Sequence, residues 1–255
     1  MSSGHWNVVI VGIGPAGLAV ALSFLKHPNF PPNARLTLLD ASSSLSLSGA
    51  IGLTRNGLHV LSELGVHPDG QFVRAIFMHD PVSKKTLQAL SVPKGATLMV
   101  ERFELAQKLL EEVRKVGGER VEVLWSKKFK SAEDLDGGRV RVELEGGELM
   151  EVDLLVGADG VRSKVRDFVL GEGDWTPFFT GYISMYGVSE PIEGANDEHV
   201  GASRWIIDTK GIVSDTNLSS LVSCQLECVI SIRAGMSLGI YPSVARFPLS
   251  CHPCS

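Results

Sequence analysis

A chain of 255 residues with 24 basic and 29 acidic side chains carries a formal net charge of −5. That balance leaves no basic footprint for nucleic acid, and 44% hydrophobic with 21% charged residues is the composition of an ordinary globular protein. All four cysteines, Cys224, Cys228, Cys251 and Cys254, fall in the last part of the chain. A secreted disulfide framework distributes them differently, so a reducing, cytoplasmic setting is expected.

Residues 6–11 are a short β-rich apolar run, which reads as a buried parallel strand. Gly12-Ile13-Gly14-Pro15-Ala16-Gly17 follows, and residues 18–27 read as a mostly apolar helix stopped by Pro28. The stretch from Val8 to Leu25 is uncharged, as a membrane span would be, but its glycines and Pro15 break it and no Lys or Arg precedes it. A strand, a turn and a helix explain it better, and no stable membrane insertion is expected. Residues 35–40 form a second strand ending on Asp40, which completes a βαβ unit.

A Ser-rich loop over 41–48 leads to a helix over 55–64, capped by Thr54 and ended by Gly65. Residues 72–78 and 85–92 look like two strands of a hairpin that leaves the first sheet and starts a second. Residues 101–116 form an amphipathic helix with Leu105, Leu109, Val113 and Val116 on one face, ended by Gly117 and Gly118. A strand at 121–125 precedes an alternating strand at 139–145, which Gly146-Gly147 turns into residues 148–156. Residues 182–188 suggest a return to the second sheet. Residues 213–255 contain nine Ser, four Cys, four charged residues and no Lys, and no helical or strand period organises them. The cysteines there could be read as zinc ligands, but Cys224 and Cys228 lie in an apolar stretch rather than on tight knuckles, so no metal site is expected.

The chemistry concentrates in two motifs. In Gly12-x-Gly14-x-x-Gly17, Gly12 permits the tight turn, Gly14 lets backbone approach a pyrophosphate, and Gly17 lets helix and strand pack closely. The helix N-terminus attracts phosphate charge, and Asp40 is placed to accept from ribose hydroxyls. This fingerprint points to a dinucleotide without separating FAD from NAD. The second motif is Asp153-Leu-Leu-Val-Gly-Ala-Asp159-Gly160-Val-Arg162-Ser163-x-Val-Arg166. Its strand end and glycine turn offer backbone N–H groups, Asp159 can accept from hydroxyls, and Arg162 and Arg166 bring positive charge.

That second motif resembles the Asp-Gly motif of the aromatic-hydroxylase-type (group A) FAD-dependent monooxygenases, in the style of fungal secondary metabolism. The resemblance implies an α/β fold: a Rossmann-like FAD-binding domain interleaved with an incomplete mixed substrate sheet. It places the FAD-binding domain over 1–212, with inserted substrate-sheet segments at about 72–100 and 178–212, and an atypical tail over 213–255. It implies FAD as cofactor and NAD(P)H as co-substrate. It also implies O2-dependent hydroxylation or epoxidation of a small organic molecule, aromatic, polyketide or prenylated.

The segment from Ser48 to Gly57 looks like the family's Gly-Ala segment, which would bring Gly49 and Ala50 to the flavin. Arg102 opens a segment similar to the family's Arg-x-x-Leu helix start, where the arginine reaches FAD; a cation is otherwise misplaced in a first helical turn. Arg55 is as readily a surface residue. Thr180–Ser189 resembles the segment that opens the substrate sheet, with Tyr186 and Arg204 as weak candidates for substrate contact, although packing suits the tyrosines better. The family's third motif, a Gly-Asp near the end of the flavin domain, has no counterpart, so a C-terminally truncated member is expected. A catalytically inactive remnant and a related FAD-dependent reductase are the rival readings.

Overall fold

The computed structural model describes residues 6–45, 49–80, 83 and 85–171, and the backbone of strands at 182–185, 202–207, 213–218 and 226–233. In chain order, β1 (Asn7–Val11), α1 (Pro15–Lys26) and β2 (Arg35–Leu39) form the βαβ unit. Next come β3 (Ala50–Thr54), α2 (Arg55–Glu63), β4 (Gln71–Phe72), β5 (Ala75–His79), β6 (Thr86–Ser91) and β7 (Thr97–Glu101). After α3 (Arg102–Gly117) follow β8 (Val121–Leu124), β9 (Phe129–Leu135), β10 (Arg139–Leu144), β11 (Leu149–Val152), β12 (Leu154–Gly157) and α4 (Lys164–Leu170). The last described strands are β13 (Tyr182–Met185), β14 (Ala202–Ile207), β15 (Val213–Leu218) and β16 (Leu226–Arg233).

The chain divides into two compact units. The first is built on a four-stranded sheet of order β12-β1-β2-β8, parallel throughout. Val8, Val9 and Ile10 are all essentially inaccessible, as a parallel strand covered on both faces requires. One face packs on the antiparallel meander β9-β10-β11, where Val9, Val11 and Leu39 meet Phe129, Val142, Leu144 and Val152. The other face takes the helices: α1 buries Leu18, Ala21, Leu22 and Leu25, and α3 buries Leu105, Ala106, Leu109, Leu110 and Val113. The uncharged stretch from Val8 to Leu25 is thus strand, turn and helix. Among the described residues, no helix is long and apolar enough to cross a membrane.

The second unit contains a three-stranded sheet of order β3-β7-β4 and a six-stranded mixed sheet of order β13-β16-β15-β14-β5-β6. The expected hairpin is present as β5 and β6, but Phe72, expected in its first strand, ends β4 in the three-stranded sheet, and β5 begins only at Ala75.

Several elements differ from the sequence reading. α1 starts at Pro15, three residues before the expected Leu18, because proline fits the first helical position, where its missing N–H has no acceptor to lose. The run expected over 148–156 is two strands in two sheets. Between them, the Asp153 carboxylate accepts the Asn7 N–H at 2.7 Å, tying the crossing from the meander into β12 to the start of β1. β3, β7 and β9 are strands that periodicity did not single out. Among the described residues, β14, before residue 212, pairs antiparallel with β15, after it, and β16 continues the sheet. The residues after 212 that read as aperiodic therefore include two strands.

Candidate cofactor site

The ends of β1, β2 and β12 converge on two turns. At the first, Gly12 has φ +108, and its N–H donates to the Leu39 carbonyl at 2.7 Å. A Cβ at Gly12 would overlap the Ala158 carbonyl oxygen and sit 2.6 Å from its carbon. A Cβ at Gly17 would overlap the Gly12 carbonyl oxygen and lie 3.3 Å from the Ala158 Cβ. Both glycines are demanded by the protein's own packing. Gly14 differs: as the N-cap of α1 it has φ −85 and ψ 177, open to any residue, and a Cβ there would meet nothing within 4 Å. The space over Gly14 lies beside the first turn of α1, which carries no acidic residue. Leu18 N–H is the first to bond back into the turn, at 3.0 Å to the Gly14 carbonyl. The amides of Ala16 and Gly17 have no intrahelical acceptor.

Asp40 stands one residue past β2. Its Oδ2 accepts the Ile13 N–H at 2.8 Å, and its Oδ1 accepts the Ser42 N–H at 2.8 Å. The side chain expected to face a ribose is engaged with backbone, although each oxygen keeps a further lone pair.

At the second turn, the Ala158 N–H donates to the Val11 carbonyl at 2.7 Å, joining the Asp-Gly turn to the end of β1. Asp159 caps α4: Oδ2 accepts Lys164 N–H at 2.8 Å and Val165 N–H at 3.3 Å, while the Ser163 hydroxyl donates to Oδ1. Ser163 in turn accepts the Arg166 N–H at 2.9 Å. Gly160 has φ +82 with nothing near its Cβ position. Arg166 braces the turn by donating to the Val161 carbonyl at 2.9 Å, so its guanidinium is folded onto the motif. Arg162 is exposed.

The first unit therefore brings together Gly12, Gly14, Gly17, Asp40, Asp159 and Gly160. Arg102 belongs to the same unit as the first residue of α3. Gly49, with φ +85, and Ala50, which pairs with Glu101 across β3 and β7, belong to the second unit. Arg55 donates to the Lys94 carbonyl at 2.9 Å within that unit and is exposed. Arg204 lies in β14 at the register position of Phe77 and Thr216. Tyr186 lies outside the described residues, as do Cys224, Cys251 and Cys254. The residues that sequence reasoning missed are Ile13 and Ser42, whose backbone amides hold Asp40, and Ser163, whose capping role was legible as a hydroxyl just before a helical run.

A parallel sheet with a glycine turn at the end of its central strand, an open N-cap glycine and an acid after the second strand define a dinucleotide-binding domain of the Rossmann type. No family model matches the chain. Its relatives are more specific. It is 30% identical to the monooxygenase cfoF of Aspergillus candidus over 245 residues, covering 85% of this chain and 56% of that one. It is 28% identical to 3-hydroxybenzoate 6-hydroxylase 1 of Aquipseudomonas alcaligenes, covering 80% and 51%. Among solved structures, Klebsiella pneumoniae HpxO, complexed with FAD and uric acid, superposes with a TM-score of 0.72 at 21% identity, covering 93% of this chain and 59% of that one. By sequence the chain is similar to monooxygenases, several of them named as FAD-dependent, and it spans about half the length of the curated relatives it matches.

Proposed function

We propose that this chain holds FAD on the end of its parallel sheet and serves an NAD(P)H- and O2-dependent monooxygenase acting on a small organic molecule. The observation that carries the reading is Gly14. Its backbone angles suit any residue and no protein atom lies near its Cβ position, so glycine is required there only by something else that comes close. A pyrophosphate fits: the helix N-terminus is free of acids, and the orphan amides of Ala16 and Gly17 point outward from the first turn.

On this reading the amides of Gly14, Ala16 and Gly17 hold the pyrophosphate, while Gly12 and Gly17 keep turn and helix close enough to do so. Asp40, Asp159 with Gly160, Arg102 and Arg162 are the further candidates for nucleotide contact in the same unit, and Gly49 and Ala50 keep the flavin-contact role that the sequence resemblance implies. Tyr186 and Arg204 are the candidates for substrate contact. When bound, FAD supplies the redox chemistry that takes electrons from NAD(P)H and delivers one oxygen atom of O2 to the substrate. The protein's own part is to bind, orient and exclude water. The sequence resemblance supports a phenolic, polyketide or prenylated substrate, and the cysteine distribution supports a cytoplasmic setting.

The test is the visible absorbance spectrum of the purified chain after FAD is added and the excess removed. A retained flavin band supports the reading and justifies NAD(P)H oxidation assays. A folded protein that keeps no flavin overturns it and favours the inactive remnant.

A further inference from the structure

We propose that Ser163 is a positioning residue: its hydroxyl fixes the rotation of the Asp159 carboxylate, so that the one acceptor site this acid keeps open is held ready for a hydroxyl of the cofactor. The inference rests on the FAD reading of this site and gives a task to a side chain outside the set of nucleotide contacts.

Among the described residues Ser163 is the one buried polar side chain, at 8% exposure. A buried hydroxyl needs partners, and its two partners are of opposite kind. The Arg166 N–H donates to Oγ at 2.9 Å, so the oxygen accepts on that side. A hydroxyl has a single proton to give, and Asp159 Oδ1 takes it. The direction of the O–H bond is therefore fixed by its neighbours: it points at the carboxylate.

The acceptor sites of the carboxylate can be counted in turn. An ionised carboxylate offers about four. Oδ2 takes two N–H groups, from Lys164 at 2.8 Å and from Val165 at 3.3 Å. Oδ1 takes the Ser163 hydroxyl. One site remains, on Oδ1, and its direction follows from where the hydroxyl sits. The two amides anchor Oδ2 alone. Ser163 is the second anchor, which stops the carboxylate rocking about its Cβ–Cγ bond, a torsion with a broad well.

The acid stands beside the glycine turn. A Cβ on Gly12 would lie 3.0 Å from the Asp159 nitrogen. Gly157 leaves room for the carboxylate at the end of β12, since a Cβ there would lie 3.3 Å from Oδ1. Ser163 is also the N-cap of α4, and the two tasks ask for different chemistry. A cap accepts Asp at this position about as well as Ser, and Gly at little cost. A donor to Asp159 requires a hydroxyl.

The test measures the FAD affinity of the full chain by flavin fluorescence titration, with the urea midpoint recorded for each form. Ser163→Thr keeps the hydroxyl and is expected to bind within about twofold of wild type. Ser163→Gly removes it while leaving the helix start nearly as well capped. It is expected to keep a midpoint near wild type and to bind FAD about tenfold more weakly. The same substitution is then made beside Asp159→Ala. Because Ser163 acts through Asp159, it changes affinity there by less than about twofold. Where Ser163→Gly does not fold, Ser163→Cys, of similar size but a weak donor, takes its place with the same dependence on Asp159. Two results overturn the proposal. One is full FAD affinity in folded Ser163→Gly. The other is an equal loss in both backgrounds, which would make Ser163 a helix cap alone. A wild type that keeps no FAD overturns the cofactor reading instead. The NMR shift of the Asp159 carboxyl carbon then decides the positioning role: it moves in Ser163→Gly and stays in Ser163→Thr, and an unmoved shift in Ser163→Gly overturns that role too.

Discussion

Glycines that look alike in a motif are required for different reasons, and substitution separates them. Gly12→Ala places a side chain into the Ala158 backbone at φ +108. Overlap and backbone strain together cost about 3 kcal/mol or more, so its urea midpoint falls well below wild type whether or not FAD is present. Gly14→Ala meets no protein atom and changes stability by about 1 kcal/mol at most, through the weaker N-cap. Its effect is read in flavin affinity, which drops about tenfold or more as amide contacts to the anion are lost. Equal losses of stability in the two variants would refute the distinction. Ser126 makes the converse case. It is the one non-glycine residue with positive φ, at 56°, among the described residues, and its N–H donates to the Ser42 carbonyl at 2.8 Å. Left-handed backbone costs an ordinary residue about 1–2 kcal/mol, while glycine adds about 0.5–1 kcal/mol of unfolded-state entropy. Ser126→Gly is therefore expected to raise the thermal midpoint slightly, and a lower one would show that the hydroxyl matters more than the strain.

At the level of elements, local signals sufficed where an element carries its own period or cap. β1, β2, α2 and α3 were each readable because an apolar run or a helical stripe ends on a glycine, a cap or an acid. The elements that were missed borrow their stability. β9 has a polar middle, Lys130-Ser131-Ala132-Glu133, and becomes a strand because β10 supplies both the backbone partners and ion pairs from Glu143 to Lys130 and from Arg141 to Glu133. β3 and β7 lie among glycines and short polar residues and exist as each other's partners. Nothing local in residues 121–125 says that β8 extends the sheet beside β2.

The helix layer has a clasp of the same non-local kind. The Lys26 ammonium at the end of α1 donates to the Leu64 carbonyl after α2 at 2.6 Å and to Glu112 of α3 at 3.0 Å. Lys115 also reaches Glu112, at 2.9 Å. The hydrogen bond from Lys115, then that from Lys26, holds the Glu112 carboxyl below its ordinary value against the opposing effect of burial. A depressed folded-state value means stabilisation that is present above the unfolded-state value and lost as pH falls through the folded one. Glu112→Gln is expected to cost about 0.5 kcal/mol near neutrality, where a partly exposed pair contributes little more. The gap from wild type should close as pH drops through the depressed Glu112 value. A gap that persists unchanged in acid would assign the cost to packing instead of charge.

Over the whole molecule, what the sequence made legible and what it did not follow the distribution of buried apolar surface. The cofactor turns were readable because the parallel sheet that carries them is saturated with Val, Ile and Leu. Val8, Val9, Ile10, Leu36, Leu38 and Leu39 are all at or below 1% exposure, and the glycine motif interrupts that run visibly. The six-stranded sheet offers weaker cues: β6 is exposed along its whole length, with Leu87 at 62% and Leu90 at 40%, and it lies at the sheet edge with one partner, β5. An edge strand with little buried surface opens locally at small cost, whereas a central parallel strand opens only with the unit it belongs to. Native-state hydrogen exchange is therefore expected to resolve two classes. Amides of β1 and β2 should exchange only through global opening of their unit, with a strong denaturant dependence. Amides of β6 should exchange through local openings that denaturant scarcely affects. FAD adds a second handle, because a ligand that binds only the folded turns slows global opening in proportion to its occupancy. Added flavin should slow exchange in β1, β2 and β12, including Ala158, whose N–H ties the Asp-Gly turn to β1. Protection in β6 equal to that in β1 would contradict the local-opening account. Exchange in β1 that is indifferent to added FAD would contradict the placement of the cofactor on this sheet.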